Sequence, residues 1–180
     1  MHAEIGDFVT DGFQNAVESG GSYLTLWIDQ SDYIFQFIIT DNGKGMDSKT
    51  LHTALDPFVT DGVKHPTRKV GLGLPFLVQA LEACNGTFDI SSEPGKGTRL
   101  MASFPLDHWD VPPIGDISLT LVQCMGFQGT FECLVTRRLQ TQAKSLSYEF
   151  LRTDLLDAVG GLDSPGAFQL MKEFIQSQEE

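Results

Sequence analysis

Two acids, one amide and two sets of glycines are the residues in this sequence whose types and spacing suit ligand chemistry. Thr40-Asp41-Asn42-Gly43-Lys44-Gly45-Met46 follows an apolar run at 33–39 that is aromatic and β-branched, the pattern of a buried strand. An aspartate fixed at the end of such a strand can accept a hydrogen bond from an amino group on a flat ligand. Gly43 and Gly45 allow positive φ and leave room for that ligand to approach the backbone. Taken alone, the stretch also reads as an ordinary Asp-Asn-Gly turn. Upstream, Asp7, Asp11, Asn15 and Glu18 recur at i, i+4, i+8 and i+11, which makes a polar stripe along one helix. Solvation accounts for its acids but not for Asn15, a modest helix former placed mid-helix. Downstream, Gly71-Leu72-Gly73-Leu74-Pro75 opens another helix, because proline is tolerated only in a first turn. Free amides and the positive helix end there suit phosphate oxygens. The stretch is neither a P-loop nor a Rossmann fingerprint.

The elements that must position these residues can be read along the chain. Residues 3–19 form an amphipathic helix with Ile5, Phe8, Val9, Phe13, Ala16 and Val17 as its apolar stripe, stopped by Gly20-Gly21. Residues 23–29 alternate as a half-buried strand that turns at 30–32 into the strand ending at Asp41. A short helix is expected over 47–55. Residues 56–70 hold Pro57, Gly62, Pro66 and the cluster Lys64, His65, Arg68 and Lys69, the composition of a loop, either a solvated one or a basic lid over an anionic ligand. The helix opened at Pro75 runs to about Cys84, and residues 87–91 and 98–104 make a hairpin around Glu93-Pro94-Gly95-Lys96-Gly97. Residues 107–116 read as a linker. Beyond it, strands are expected at 117–124, 130–136 and 146–151, as an antiparallel meander. A short helix at 154–159 follows, then a final helix with Ser164 as N-cap and Pro165 at N1.

Taken together and in order, the motifs resemble those of the gyrase, heat-shock chaperone, histidine kinase and MutL ATP-binding superfamily. Asp11 to Gly20 resembles its N box, Asp41 to Met46 its G1 box, Asp56-Pro57-Phe58-Val59-Thr60 the histidine-kinase F box, Val70 to Leu74 the G2 box, and Gly95-Lys96-Gly97-Thr98 its last glycine-rich turn. The resemblance implies an α+β fold, a two-layer sandwich with helices on one face of a mixed, mostly antiparallel sheet. It implies an ATP-binding domain over 1–106 and an extension over 107–180. ATP and Mg²⁺ are the implied cofactors. Asp41 would read adenine with help from Gly45, and Asn15 would hold the metal through an oxygen that suits a hard cation. Gly43, Met46, Phe58, Thr60, Lys64, Arg68, Lys69, Gly71, Leu72, Gly73, Leu74 and Thr98 would line the nucleotide. Asp11 stands where MutL-type and chaperone-type members carry a glutamate that activates water, one methylene shorter here. Glu18 likewise resembles those members, whereas histidine kinases carry Lys or Arg there.

The formal charge of −12 argues against a nucleic-acid surface, which needs clustered Lys and Arg. Cys84, Cys124 and Cys133 are odd in number and lack CxxC spacing, which reads as buried thiols in a reducing compartment. No signal peptide or spanning segment is evident, so a cytoplasmic protein away from the membrane is expected. No helix pair with a phosphoacceptor precedes the N box, and His2, His52, His65 and His108 lie in no such helix. The expected activity is therefore slow ATP hydrolysis or phosphotransfer to a separate protein partner. The alternative is an anti-sigma-like regulatory module in which bound ATP sets a conformation. A degenerate fold without nucleotide fits poorly with Asp41, Asn15 and the glycine boxes in place.

Overall fold

The computed structural model describes residues 4–56 and 73–180. Helix α1 (Ile5–Glu18) lays Ile5, Phe8, Val9, Phe13 and Ala16 into the core, as the apolar stripe requires. Its third-turn Gly12 lets it descend onto the sheet, since a methyl there would meet Ile39 and Leu100 at 3.0 and 3.1 Å. Strands β1 (Tyr23–Ser31) and β2 (Ile34–Asp41) form an antiparallel hairpin in the register Leu24 to Asp41 and Leu26 to Ile39. Helix α2 (Ser48–Leu55) is capped by Asp47, whose side chain accepts from Thr50 N. Helix α3 (Gly73–Ala83) carries Pro75 in its first turn, as the sequence demands. Strands β3 (Thr87–Glu93) and β4 (Gly97–Pro105) close the expected hairpin, and β4 runs antiparallel to β2.

The extension differs from expectation at three points. Residues 117–124 are not a strand but helix α4 (Ile117–Met125), capped by Asp116 accepting from Leu119 N at 3.0 Å. Ile117, Leu119 and Leu121 alternate with Ser118 and Thr120, which on its own reads as a half-buried strand. The helix wins because it lies between α1 and α6, where Ile117, Leu121, Val122, Cys124 and Met125 are all covered. The meander is likewise replaced. Strand β5 (Glu132–Gln140) runs parallel to β1, from Tyr23 beside Glu132 to Ser31 beside Gln140, and only β6 (Ser145–Leu151) is antiparallel to it. Helix α5 (Arg152–Val159) follows β6 directly, and α6 (Ala167–Glu179) ends the described fold. Its N-cap is Gly166 at φ 81°, not Ser164, because Ser164 and Pro165 are used in the turn before it, where Ser164 O accepts from Ala167 N.

Among the described residues, six strands make one mostly antiparallel sheet in the order β3-β4-β2-β1-β5-β6. Leu24, Leu26, Ile28, Phe35, Phe37, Ile39, Leu100, Ala102 and Val135 share its buried face, and the helices cover it. Thr25, Trp27, Gln36 and Ile38 on the other face are half-buried. The two-layer α+β sandwich expected from the motifs is therefore the architecture found. The linker at 107–116 is irregular but tied down, with Pro113 O and Ile114 O accepting from Ile5 N and Gly6 N at 2.8 and 3.0 Å. Those carbonyls satisfy amides that the first turn of a helix leaves without partners.

Candidate functional site

Asp41 ends β2 on the buried face and is only 6% exposed. Burying a carboxylate is costly unless hydrogen bonds replace its water. Here Ser19 Oγ and Gly43 N donate to its Oδ1, each at 2.8 Å, while Oδ2 accepts from none of the described residues. The neighbouring backbone is fastened on every side. Asn42 Oδ1 accepts from Ser22 N and Tyr23 N at 2.8 and 3.0 Å, Lys44 N donates to Ser19 O, and Gly95 N donates to Lys44 O. Gly45 has φ 62°, and a side chain there would strike the carbonyl of Glu93. Glycine is required on both counts.

Thr98 lies directly opposite Asp41 on β4. Its hydroxyl is 2.8 Å from Ser92 Oγ, which in turn accepts from Met46 N at 2.8 Å. Asp41 and Met46, from one motif, and Thr98, from another, thus meet at one end of the sheet. Ser19 and Ser92 were missed by sequence reasoning. Ser92 is a small polar residue in an alternating strand, and nothing in its spacing marks it. Ser19 had a usable signal, a serine just past a helix whose preceding turn carries Asn15.

One layer up, Asp11 and Asn15 lie on α1, Asn15 exposed and Asp11 partly buried. The Asp11 carboxylate reaches the start of α3, where a methyl on Gly73 would meet its Oδ2 at 3.1 Å. Asn15 stands one turn further along α1, about 6 Å of helix rise from Asp11. Leu74, next along α3, packs partly buried against the core. The other two members of the polar stripe are occupied elsewhere. Asp7 Oδ2 accepts from Glu4 N at 3.1 Å at the start of α1, and Glu18 accepts from Gln14 Nε2 at 2.8 Å. The expected lid with Phe58, Thr60, Lys64, Arg68 and Lys69 lies outside the described residues, as do Gly71 and Leu72.

No group of three or more metal-ligating side chains occurs among the described residues. This donor set fits Mg²⁺ held mainly by ligand oxygens and water, with one amide oxygen from the protein, and not a cation held by protein ligands alone. All three cysteines are buried and unpaired. Burial pushes the Cys133 thiol up to about 12 and raises Cys84 and Cys124 as well, which leaves these thiols unreactive.

The chain belongs to the histidine kinase-, DNA gyrase B-, and HSP90-like ATPase family, whose model matches residues 4–108. Among curated proteins it is similar to sporulation kinase A of Bacillus subtilis (strain 168), 32% identical over 94 residues, covering 51% of this chain and 15% of that protein. It is also similar to the sensor histidine kinase YxdK of the same organism, 29% identical over 102 residues, covering 56% of this chain and 31% of that protein. The chain thus spans less than a third of the length of either relative. Among solved structures, the N-terminal domain of a DNA repair protein matches with a TM-score of 0.54 at 11% identity, over 92% of this chain and 58% of that one. That likeness is one of fold. No helix among the described residues is long and apolar enough to cross a membrane.

Proposed function

We propose that the chain binds Mg²⁺-ATP at the end of the sheet between Asp41 and the start of α3, and turns it over slowly. One observation carries this reading: Asp41 is buried with its Oδ1 doubly used and its Oδ2 left as an acceptor. A buried carboxylate with spare acceptor capacity suits the amino group of adenine. Asn15 would supply an oxygen to Mg²⁺, and the α3 N-terminus would take phosphate oxygens. Bound Mg²⁺ would supply neutralisation of phosphate charge. Asp11 beside Gly73 would orient or deprotonate the attacking water, a role typically worth about 10²–10⁴-fold in rate. The three unpaired buried thiols favour a reducing, cytoplasmic setting.

Calorimetry tests the binding: ATP should bind the wild-type protein, and Asp41→Asn should weaken binding about ten- to a hundredfold, the worth of a hydrogen bond to a charged group. Equal affinities would remove Asp41 from the site. A second reading is favoured by the short side chain of Asp11: bound ATP sets a conformation read by a separate protein, or its γ-phosphate passes to that protein. Following labelled γ-phosphate separates the two. In the hydrolytic reading Asp11→Asn lowers kcat while ATP affinity stays within a few fold, and Asp11→Glu preserves or raises kcat. Turnover untouched by Asp11→Asn assigns Asp11 to a solvated acidic face.

A further inference from the structure

We infer that Ser19 is a positioning residue that fixes which oxygen Asp41 shows to the ligand, and so sets the preference for a 6-amino over a 6-oxo purine. The inference rests on the reading of Asp41 as the adenine contact. Ser19 is the C-cap of α1, and its Oγ lies 2.7 Å from Ala16 O and 2.8 Å from Asp41 Oδ1. The hydroxyl has one proton for two acceptors, and the carboxylate is the stronger of them. With Gly43 N donating to the same Oδ1 at 2.8 Å, the carboxylate is gripped at one oxygen from two directions and its rotation is blocked.

The surrounding backbone is built around that grip. A side chain on Gly43 would collide with the Ser19 hydroxyl, and its Cβ would stand 2.8 Å from Asp41 Oδ1. Gly43 therefore makes room for the serine as well as for a ligand. Ser19 O also accepts from Lys44 N at 3.1 Å, and Ser19 N donates to Asn15 O at 3.0 Å. The same residue thus joins the turn that carries Asp41 to the helix that carries Asn15. Adenine offers a donor at its 6-position and hypoxanthine an acceptor, so an oxygen held at Oδ2 attracts the first and repels the second.

The grip also dictates what an amide does at position 41. In Asp41→Asn, Ser19 and Gly43 N still require an acceptor, which holds Oδ1 in place and turns Nδ2 outward as a donor. That variant should favour a 6-oxo purine. The test is calorimetric affinity for ATP and for inosine triphosphate in wild type, Ser19→Ala, Asp41→Asn and the double variant. Wild type should prefer ATP. Ser19→Ala should lose about tenfold in ATP affinity and little for inosine triphosphate, because only the former uses Oδ2, the oxygen that the grip presents. Asp41→Asn should invert the preference, and adding Ser19→Ala should abolish the inversion, because the freed amide can flip. An unchanged ATP-to-inosine ratio in Ser19→Ala overturns the inference, whether both affinities hold or both fall together, the latter marking a structural role alone. Wild type that binds neither nucleotide overturns the ATP reading itself, and this inference with it.

Discussion

Asp41 at the end of β2 and Arg152 at the start of α5 are both buried charges, each 6% exposed, and they are treated in opposite ways. Arg152 spends every nitrogen inside the protein. Its Nε, Nη1 and Nη2 donate to Met125 O, Phe131 O and Phe127 O at 3.0, 3.1 and 2.9 Å, and its guanidinium stacks 4.1 Å above the Phe131 ring. Arg137, 1% exposed, is similar, donating to Glu179 Oε1, Arg138 O and Gln30 Oε1. Asp41 keeps one oxygen unused among the described residues. A buried charge whose partners are complete holds the fold, and one with spare acceptor capacity is a candidate for a ligand contact. The two ends are connected through Phe13, which lies between Asp11 and Asn15 in sequence and packs on Phe127 and Phe131 at centroid distances of 6.2 and 6.0 Å. The loop that Arg152 holds is thus the back wall of the helix that carries the phosphate-side residues.

Removing Arg152 should give the largest effect. Arg152→Ala deprives three buried carbonyls of a charged donor, and at about 1.5–3 kcal/mol per such bond the loss is roughly 4 kcal/mol or more. That rivals the whole stability of an ordinary domain, about 5–15 kcal/mol. The urea midpoint should collapse, and Arg152→Lys should rescue little, since one ammonium cannot span three carbonyls as a planar fork does. A midpoint within the error of wild type would break the comparison. Asp41→Asn should do the reverse. Ser19 and Gly43 N keep an acceptor at Oδ1, so stability should change by less than about 1 kcal/mol while the tenfold or greater loss of ATP affinity stands. Unfolding curves displaced as far as for Arg152→Ala would make Asp41 a structural charge.

The family half of the fold was legible because its signals are local. Gly20-Gly21 ends α1, Pro75 starts α3, alternation marks β1 to β4, and the glycine motifs name the turns. Of the candidate site, the sequence offered Asp41, Met46 and Thr98, which lie together at one end of the sheet. Ser92 shows only once β3 and β4 are paired, and Ser19 only once the end of α1 is set beside Asp41. The extension resisted because its decisive facts are non-local. Residues 117–124 carry a strand-like alternation, Ile117, Leu119 and Leu121 against Ser118 and Thr120, but α1 and α6 cover the segment from two sides and bury Ser118 and Thr120 as well. The parallel pairing of β5 with β1 was hidden too. It joins strands 100 residues apart through intervening hairpins and helices, with no turn motif to announce it. Asp116 was a missed local clue in the extension, an N-cap that favours helix for the run after it.

The smallest effect separates the ends by pH. Tyr148 on β6 is half-buried and donates its hydroxyl proton to Glu179 Oε1 at 2.7 Å, the oxygen that also accepts from Arg137 Nε at 3.0 Å. Burial first, then the hydrogen bond to Glu179 and that carboxylate's charge, push the phenol well above its ordinary value of 10, against a smaller opposing pull from Arg137. A raised acid is held neutral by the fold. Its contribution to stability is therefore whole below pH 10 and is lost as pH rises beyond it, because the unfolded chain releases the proton first. A spectrophotometric difference titration of wild type against Tyr148→Phe should show the Tyr148 phenol ionising only as the chain unfolds. Tyr148→Phe should remove the alkaline loss of stability while leaving ATP affinity untouched. A Tyr148 phenol that ionises near pH 10 in the folded protein would mean that the Arg137, Tyr148 and Glu179 network is open to water. The contrast with Asp41 would then hold for Arg152 alone.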